Sequence, residues 1–395
     1  MAELSNQVRV GDICDFAKGK KPEEISDVWR EGDIPYILIE SFTGPPSKFT
    51  KSVNLPRCFR EDVLMVMDGA SSGLVATGIE GAIGSTLAAV RPKKSTLFPR
   101  YLYFWLKSKY NLLNQRTKGA AIPHVDKKLL QDLLMPIPEL ETQKRIVSIL
   151  DIAEKVLQQR EAANQIIATT MNSVFLKMFG DPLSNENHWP VKTIREVAEK
   201  ISDGPFGSNL KTEHYTADGV RVIRLQNIGV GEFLDDDKVF ISLEHYSKLK
   251  KHTCLPGDVI VGTLGDPNLR ACILPDYVKV AINKADCIQV RPNKSFVNAA
   301  YLCHLLNTPQ MLRLASSYIH GETRTRISMS QVASLQIPIP PLSVQEEYAK
   351  TVRHFDHAYA NQKRSSEVID ELFHSLMHKA FGGELDLANI KTRED

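Results

Sequence analysis

Cysteine is scarce: Cys14, Cys58, Cys254, Cys272, Cys287 and Cys303 are the only six, and none forms a C-x-x-C pair. That absence argues against a disulfide framework and against a zinc knuckle, leaving reduced packing residues. No apolar run approaches the ~20 residues needed to span a bilayer. Met1-Ala2-Glu3-Leu4-Ser5 opens without the apolar stretch of a secretory signal, so a cytoplasmic protein without membrane contact is expected. Excess charge is missing too. Lys+Arg 49 against Asp+Glu 47 leaves a formal charge of +2, so a nucleic-acid surface would need local segregation of cations. There is no G-x-x-x-x-G-K-S/T phosphate loop, no H-E-x-x-H or H-x-E…C-x-x-C zinc constellation, no N/D-P-P-Y/F adenine-methylation tetrapeptide and no F-x-G-x-G signature. The chain is therefore expected to carry neither a phosphate-loop motor nor a methyl-donor site, with no metal and no cofactor.

What is present is a repeat. Pro136-Ile137-Pro138-Glu139-Leu140-Glu141-Thr142-Gln143 returns as Pro338-Ile339-Pro340-Pro341-Leu342-Ser343-Val344-Gln345, an offset of 338 − 136 = 202 that persists to Phe179-Gly180 and Phe381-Gly382. Upstream, Arg91-Pro92 pairs with Arg291-Pro292 at 200, and Asp62-Val63-Leu64 with Asp258-Val259-Ile260 at 196. Such drift across loops is the mark of two diverged copies of one unit. Each copy begins with short strand-like runs (Tyr36 to Ile39, Val63 to Val66, Val259 to Val261) and a helical run near Tyr101 or Tyr301. It continues as a Gly- and Pro-free stretch with apolar 3-4 spacing: Ile146, Ile149, Ala153, Val156, Ala163, Ile167, Met171, Val174 and Met178, repeated from Tyr348 to Ala380.

These patterns predict an α/β (α+β) tandem duplication: domain 1–135, helix region 136–181, domain 182–336, helix region 337–383 and a tail 384–395. The prolines enforce an extended entry to each helix, Ser343-x-x-Glu346 reads as a capping box, and Gly180 and Gly382 read as stops. A helix of about 38 residues is roughly 57 Å long. Two of equal length with matching stripes are expected to form an antiparallel coiled coil with approximate two-fold symmetry. Arg160 and its repeat equivalent Gln362 interrupt the stripes; they are expected either to meet and set the helix register or to face solvent where the stripe drifts. Leu150, Leu157 and Ile166 carry two readings that the sequence does not separate: an outer face left as a docking surface, or the completion of a wide internal stripe.

A variable domain, P-I-P-x-L-x-x-Q, a long helix ending in F-G, and the same again: over nearly its whole length the chain resembles the specificity subunit of type I restriction-modification systems. Ser202-Asp203-Gly204-Pro205-Phe206-Gly207-Ser208-Asn209-Leu210-Lys211 is similar to a common opening of the family's recognition domains, whereas the first domain has Lys18-Gly19-Lys20-Lys21-Pro22 there. The resemblance implies a bacterial or archaeal protein whose two unlike domains each read half of a bipartite, asymmetric double-stranded DNA target. It further implies that two DNA methyltransferase subunits and motor-nuclease subunits assemble on the helices. Readers on one duplex face must sit about a helical turn, or a multiple of it, apart, so the helices would set the spacing.

Phosphate and base contacts need cations and side chains at base edges. The segments before each Pro-Ile-Pro are the first candidates, supplying Arg116, Lys118, His124, Lys127 and Lys128 in one copy, and Arg324 and Arg326 in the other. Lys18, Lys20, Lys21, Lys93, Lys94, Lys250 and Lys251 add charge, as do Phe206, Ser208 and Lys211, with glycines there allowing close backbone approach to DNA. Two other readings stand beside this one. Gly69-Ala70-Ser71-Ser72-Gly73 matches a serine-hydrolase elbow, but Leu74 to Thr77 reads as the return strand of a hairpin where an elbow would open a helix. A protein-interaction scaffold without DNA binding fits the near-neutral charge. The Asp235-Asp236-Asp237 run is read as a solvated turn and not as a calcium loop.

Overall fold

The computed structural model describes residues 7–52, 54–115, 123–265, 267–318 and 326–385. It divides into two compact units, 1–162 with 363–395, and 163–362.

In the first unit, the strands run Cys14–Lys18, Leu87–Pro92, Val63–Val66, Val75–Ala76 across an antiparallel sheet. A second sheet runs Phe49–Thr50, Ile34–Ile37, Gly81–Ile83, Arg57–Cys58, with its central pair parallel. The Val63–Val66 strand lies between two cores, which explains why all four of its residues are apolar and buried. Alternation sends Val63 and Met65 into the core shared with the helices, and Leu64 and Val66 into the core shared with the second sheet.

The second unit repeats this order with Ala198–Ser202, Cys287–Pro292, Val259–Gly262 and Ala271–Ile273 in one sheet. Its other sheet gains an edge strand, Tyr215–Thr216. In both units the strand that opens the domain pairs with the one that closes it, Gln7–Arg9 with Leu134–Pro136 and Val191–Thr193 with Gln336–Pro338. The Pro-Ile-Pro motif is the end of that closing strand, where a residue without an N–H costs little.

The motif's glutamine explains the rest of its spacing. Gln143 is fully buried; its Oε1 accepts from Phe98 N at 2.8 Å, and its Nε2 donates to the Thr96 and Pro138 carbonyls, both at 2.8 Å. Gln345 does the same with Asn298 N, Phe296 O and Pro340 O. Tyr101 and Tyr301 each donate a hydroxyl to the carbonyl of the first motif proline, Pro136 or Pro338, at 3.0 and 2.8 Å. One side chain thereby ties the chain entering the shorter helix, Pro99–Ser108 or Ala299–Asn307, to the chain entering the long one.

The long helices span Leu140–Phe179 and Leu342–Gly382. Within the first unit, Ile146, Val147 and Leu150 from the start of one helix share a core with Phe373, Met377 and Ala380 from the end of the other. Within the second unit, Phe175 and Phe179 at the end of the first helix meet Tyr348 near the start of the second. In each unit the start of one helix thus meets the end of the other, the pairing that the repeat predicts.

Several local expectations change. Ser343 lies inside the first helical turn, with Val344 and Gln345 N bonding Pro341 O, so it is not the cap. Gly382 is the last helical residue and Gly383, at φ +77°, makes the left-handed stop; Gly180, at φ +79°, is the stop of the first helix. Leu150 is 0% exposed and Leu157 packs against the same core, because each helix must cover a recognition domain as well as its partner and needs a wider apolar sector than one stripe. Asp235 and Asp237 do not form a solvated turn: Asp235 accepts from buried Arg221 at 2.8 Å, and Asp237 pairs with Arg224. All six cysteines are buried, and burial pushes the Cys58 thiol up to about 11. Among the described residues no helix is long and apolar enough to cross a membrane.

Candidate nucleic-acid interface

The strand Cys14–Lys18 ends where the chain crosses to the second sheet. A Cβ on Gly19 would sit 2.1 Å from Gly84 O, and one on Gly204 2.1 Å from the Lys284 carbonyl carbon. Only glycine passes at either place. The close approach at Gly204 is thus to the protein's own backbone, which corrects the expectation that this glycine admits DNA. Beyond the crossings lie Lys20 and Lys21 in the first unit, and Phe206, Ser208 and Lys211 in the second, all exposed.

Lys18, the last residue before the crossing, reaches Asp68, its Nζ donating to Oδ2 at 3.1 Å. His124 Nδ1 lies 2.7 Å from Asp68 Oδ1. The backbone fixes this meeting: residues 68 and 124 form an isolated antiparallel bridge, and Val125 N donates to Met67 O at 2.9 Å. Burial alone would raise the Asp68 carboxyl, but the hydrogen bonds from His124 and Lys18 outweigh it and hold it below its usual range. Lys18 and His124 remain about half exposed.

The second unit makes the same joint with other side chains. Leu264 and Arg326 form the equivalent bridge (68 + 196 = 264; 124 + 202 = 326), and Ile327 N donates to Thr263 O at 3.1 Å. Arg326 Nη1 lies 2.8 Å from Asp286 Oδ1, and its guanidinium carbon stands 5.4 Å from the centroid of the Phe206 ring. Asp286 has φ +71°, a left-handed conformation that aspartate tolerates better than most residues. In the first unit the equivalent position is Thr86, whose carbonyl accepts from Met67 N as that of Asp286 accepts from Thr263 N.

Other candidates fall beside or away from these joints. Lys127 and Lys128 are exposed in the first turn of the helix that follows His124, capped by Asp126. Lys250 and Lys251 are exposed in a turn tied to the second crossing by His252, whose Nδ1 is 2.6 Å from Asp203 O. Lys211 pairs with Glu213. Lys93 Nζ donates to the Gly11 and Asp12 carbonyls, a holding contact at the start of the unit, with Lys94 exposed beside it. Arg91 is pinned to Asp62, as Arg291 is to Asp258. Arg116, Lys118 and Arg324 lie outside the described residues. Arg160 and Gln362 are both half-buried. The Gly69–Gly73 segment is the hairpin turn between Val63–Val66 and Val75–Ala76, with buried Ser72 donating to Gly69 O at 2.5 Å. Sequence reasoning missed both acids, Asp68 and Asp286, because they come from non-equivalent positions of the repeat.

Two copies of one mixed domain, each ending in a cation-bearing joint and each feeding a long helix, define a duplicated two-site recognition protein. A family model, the type I restriction modification DNA specificity domain, matches residues 3–167 and 186–371. The chain belongs to that family. It is similar to the type I restriction enzyme MjaVIII specificity subunit of Methanocaldococcus jannaschii, at 25% identity over 97% of this chain and 93% of that protein. It is also similar to the EcoBI specificity subunit of Escherichia coli, at 21% identity over 90% of this chain and 81% of that protein. The fold is similar to the crystal structure of a type I restriction-modification system S subunit from M. genitalium, with a TM-score of 0.52 at 16% identity over 95% and 96% of the two chains.

Proposed function

We infer that this chain is the DNA specificity subunit of a type I restriction-modification complex, reading a bipartite target and assembling with methyltransferase and motor-nuclease subunits. One observation carries the reading: the same backbone joint occurs twice with unlike side chains, Lys18, Asp68 and His124 in one copy and Phe206, Asp286 and Arg326 in the other. Equivalent placement suits two readers of one duplex, and unlike chemistry makes the target asymmetric. The exposed cations around the joints, Lys20, Lys21, Lys127, Lys128, Lys211, Lys250 and Lys251, are the phosphate contacts of this reading. The division of labour runs 1–135 and 182–336 for recognition, and 136–181 and 337–383 for scaffolding, with the tail 384–395 outside both roles. Arg160 and Gln362 fix the helix register.

Catalysis belongs to the partners, which must unstack the target base, and the complex works in the cytoplasm, where the DNA is. The methyltransferases dock on the helices around Ile166 and Val368, which are repeat equivalents (166 + 202 = 368) and 64% and 59% exposed, so each helix offers the same contact once. Sequencing of methylated bases in the host tests the reading: one split motif should vanish when the gene is deleted, and an unchanged methylation pattern refutes it.

A further inference from the structure

The acid at each joint, Asp68 beside Lys18 and His124 and Asp286 beside Arg326, is hard to reconcile with a phosphate clamp. A carboxylate held next to Arg326 repels a phosphate and offsets the charge that counterion release rewards. Steering arises from net positive charge, and this joint has little. What the arrangement supplies is a fixed direction. Arg326 is bridged through its backbone to the strand end, paired through Nη1 with Asp286 and set above the Phe206 ring. A side chain held by three constraints keeps a geometry that a free surface lysine does not have.

The acid's position points the same way. Asp286 occupies a left-handed conformation, which costs an L-residue energy and persists where the surrounding structure demands it. A planar guanidinium with a fixed orientation is complementary to one base above all, guanine, whose O6 and N7 accept its two parallel N–H groups in the major groove. Lysine, with a compact ammonium, does not reproduce that fork.

We propose that Arg326, positioned by Asp286 and Phe206, reads a guanine in the half-target bound by the second unit. His124, at the equivalent place in the first unit, presents a different set of hydrogen-bonding atoms, so the first half-target is read differently at the corresponding step. The proposal rests on the DNA-reading function inferred above and adds the residue and the base.

The test uses the full chain assembled with its methyltransferase subunits. Binding is measured to duplexes in which each position of the second half-target is changed in turn, at several salt concentrations, for the wild type, Arg326→Ala, Arg326→Lys and Asp286→Asn. The wild type should disfavour replacement of one G·C pair by on the order of 10- to 100-fold. Arg326→Ala and Arg326→Lys should both erase that preference at that pair alone, leave every other position of both halves intact, and leave the salt slope unchanged. Asp286→Asn should weaken the same preference without touching the others. Arg326→Lys keeps the charge and the long stem, so it remains informative if the alanine variant fails to assemble.

Uniform weakening over all duplexes, with a salt slope shallower by about one, makes Arg326 a phosphate contact and overturns the proposal. Unchanged discrimination in Arg326→Lys overturns it too. A wild-type complex that discriminates at no position in either half refutes the parent function and this inference with it, whereas a discriminating wild type with indifferent variants sinks the inference alone.

Discussion

The two units grip the long helices by different chemistry. In the first, the buried carboxylate of Glu154 accepts from Lys107 Nζ and Arg100 Nη2 at 2.5 Å and from Tyr103 at 2.7 Å, while Arg100 Nε reaches Asp151 at 2.7 Å. In the second, Phe175 stacks on Tyr301 and on His304, with Phe179 and Tyr348 edge-on. The positions equivalent to Arg100, Tyr103 and Lys107 are Ala300, Cys303 and Asn307, which cannot build the ionic set. Yet the glutamine staple, the tyrosine-to-proline bond and the aspartate–arginine pair are kept in both. Groups that hold backbone are retained across the duplication, and groups that only fill the junction have been free to change.

The largest expected difference between the units lies in the retained aspartate. Asp258 is 2% exposed and accepts from Arg291, Gln289 Nε2 at 2.6 Å and Leu255 N at 2.7 Å, whereas Asp62, 5% exposed, has Ala89 where Asp258 has Gln289. Asp258→Ala should cost the second unit about 3–5 kcal/mol, as expected for one partner lost from a buried pair. Asp62→Ala should cost the first unit less, because no buried glutamine loses its acceptor there and Arg91, a third exposed, can rehydrate. Local hydrogen exchange in the full chain measures both, and equal losses would contradict the comparison.

Next come the junctions, which should soften at different pH. Burial raises the Glu154 carboxyl, but its bonds to Lys107 and Tyr103 and the nearby charges outweigh that and leave it depressed. A depressed acid contributes stability above its unfolded value and loses it as pH falls through the folded value, so the first junction should weaken below about pH 4.5. Glu154→Gln should flatten that response and destabilise the unit by roughly 2 kcal/mol, as partly exposed Arg100 and Lys107 can rehydrate.

His304 is lowered to about 4 by burial. A base depressed in the folded state leaves the unfolded chain holding more protons between roughly pH 6.5 and 4, so the second junction should already lose on the order of 3 kcal/mol across that window as pH falls. His304→Phe, which installs the residue found at the equivalent position Phe104, should remove the loss. Protection of the helices 299–307 and 99–108, followed against pH, separates the two cases, and softening of both in one step would sink the distinction.

The smallest effect is expected at Arg160 and Gln362. Replacing both by Leu should change overall stability by less than about 1 kcal/mol while shifting helix register, read as altered assembly with the methyltransferase. Unchanged assembly and unchanged DNA binding remove the register role.

The duplication, the long helices and the hairpin at Gly69–Gly73 were legible because each rests on periodicity or on residues repeated at a constant offset. The joints were legible only in part. Lys18, His124, Phe206 and Arg326 stand out by residue type, but Asp68 and Asp286 meet them through strand pairings that no local pattern encodes. The wide apolar sector of the helices stayed one of two open readings for a related reason. Leu150 and Ile166 look alike in a 3-4 pattern, and only the position of the recognition domain decides which of them is covered.

The core of the first unit is completed by Phe373, Met377 and Ala380, with Phe381 packed on Tyr101. A nascent chain therefore leaves the ribosome with its first domain open along one side until residues 373–381 have been made, at 5–20 residues per second a wait of roughly 10–40 s over some two hundred residues. The second unit closes from a single uninterrupted stretch and has no such wait, so the domain made first is the one finished last.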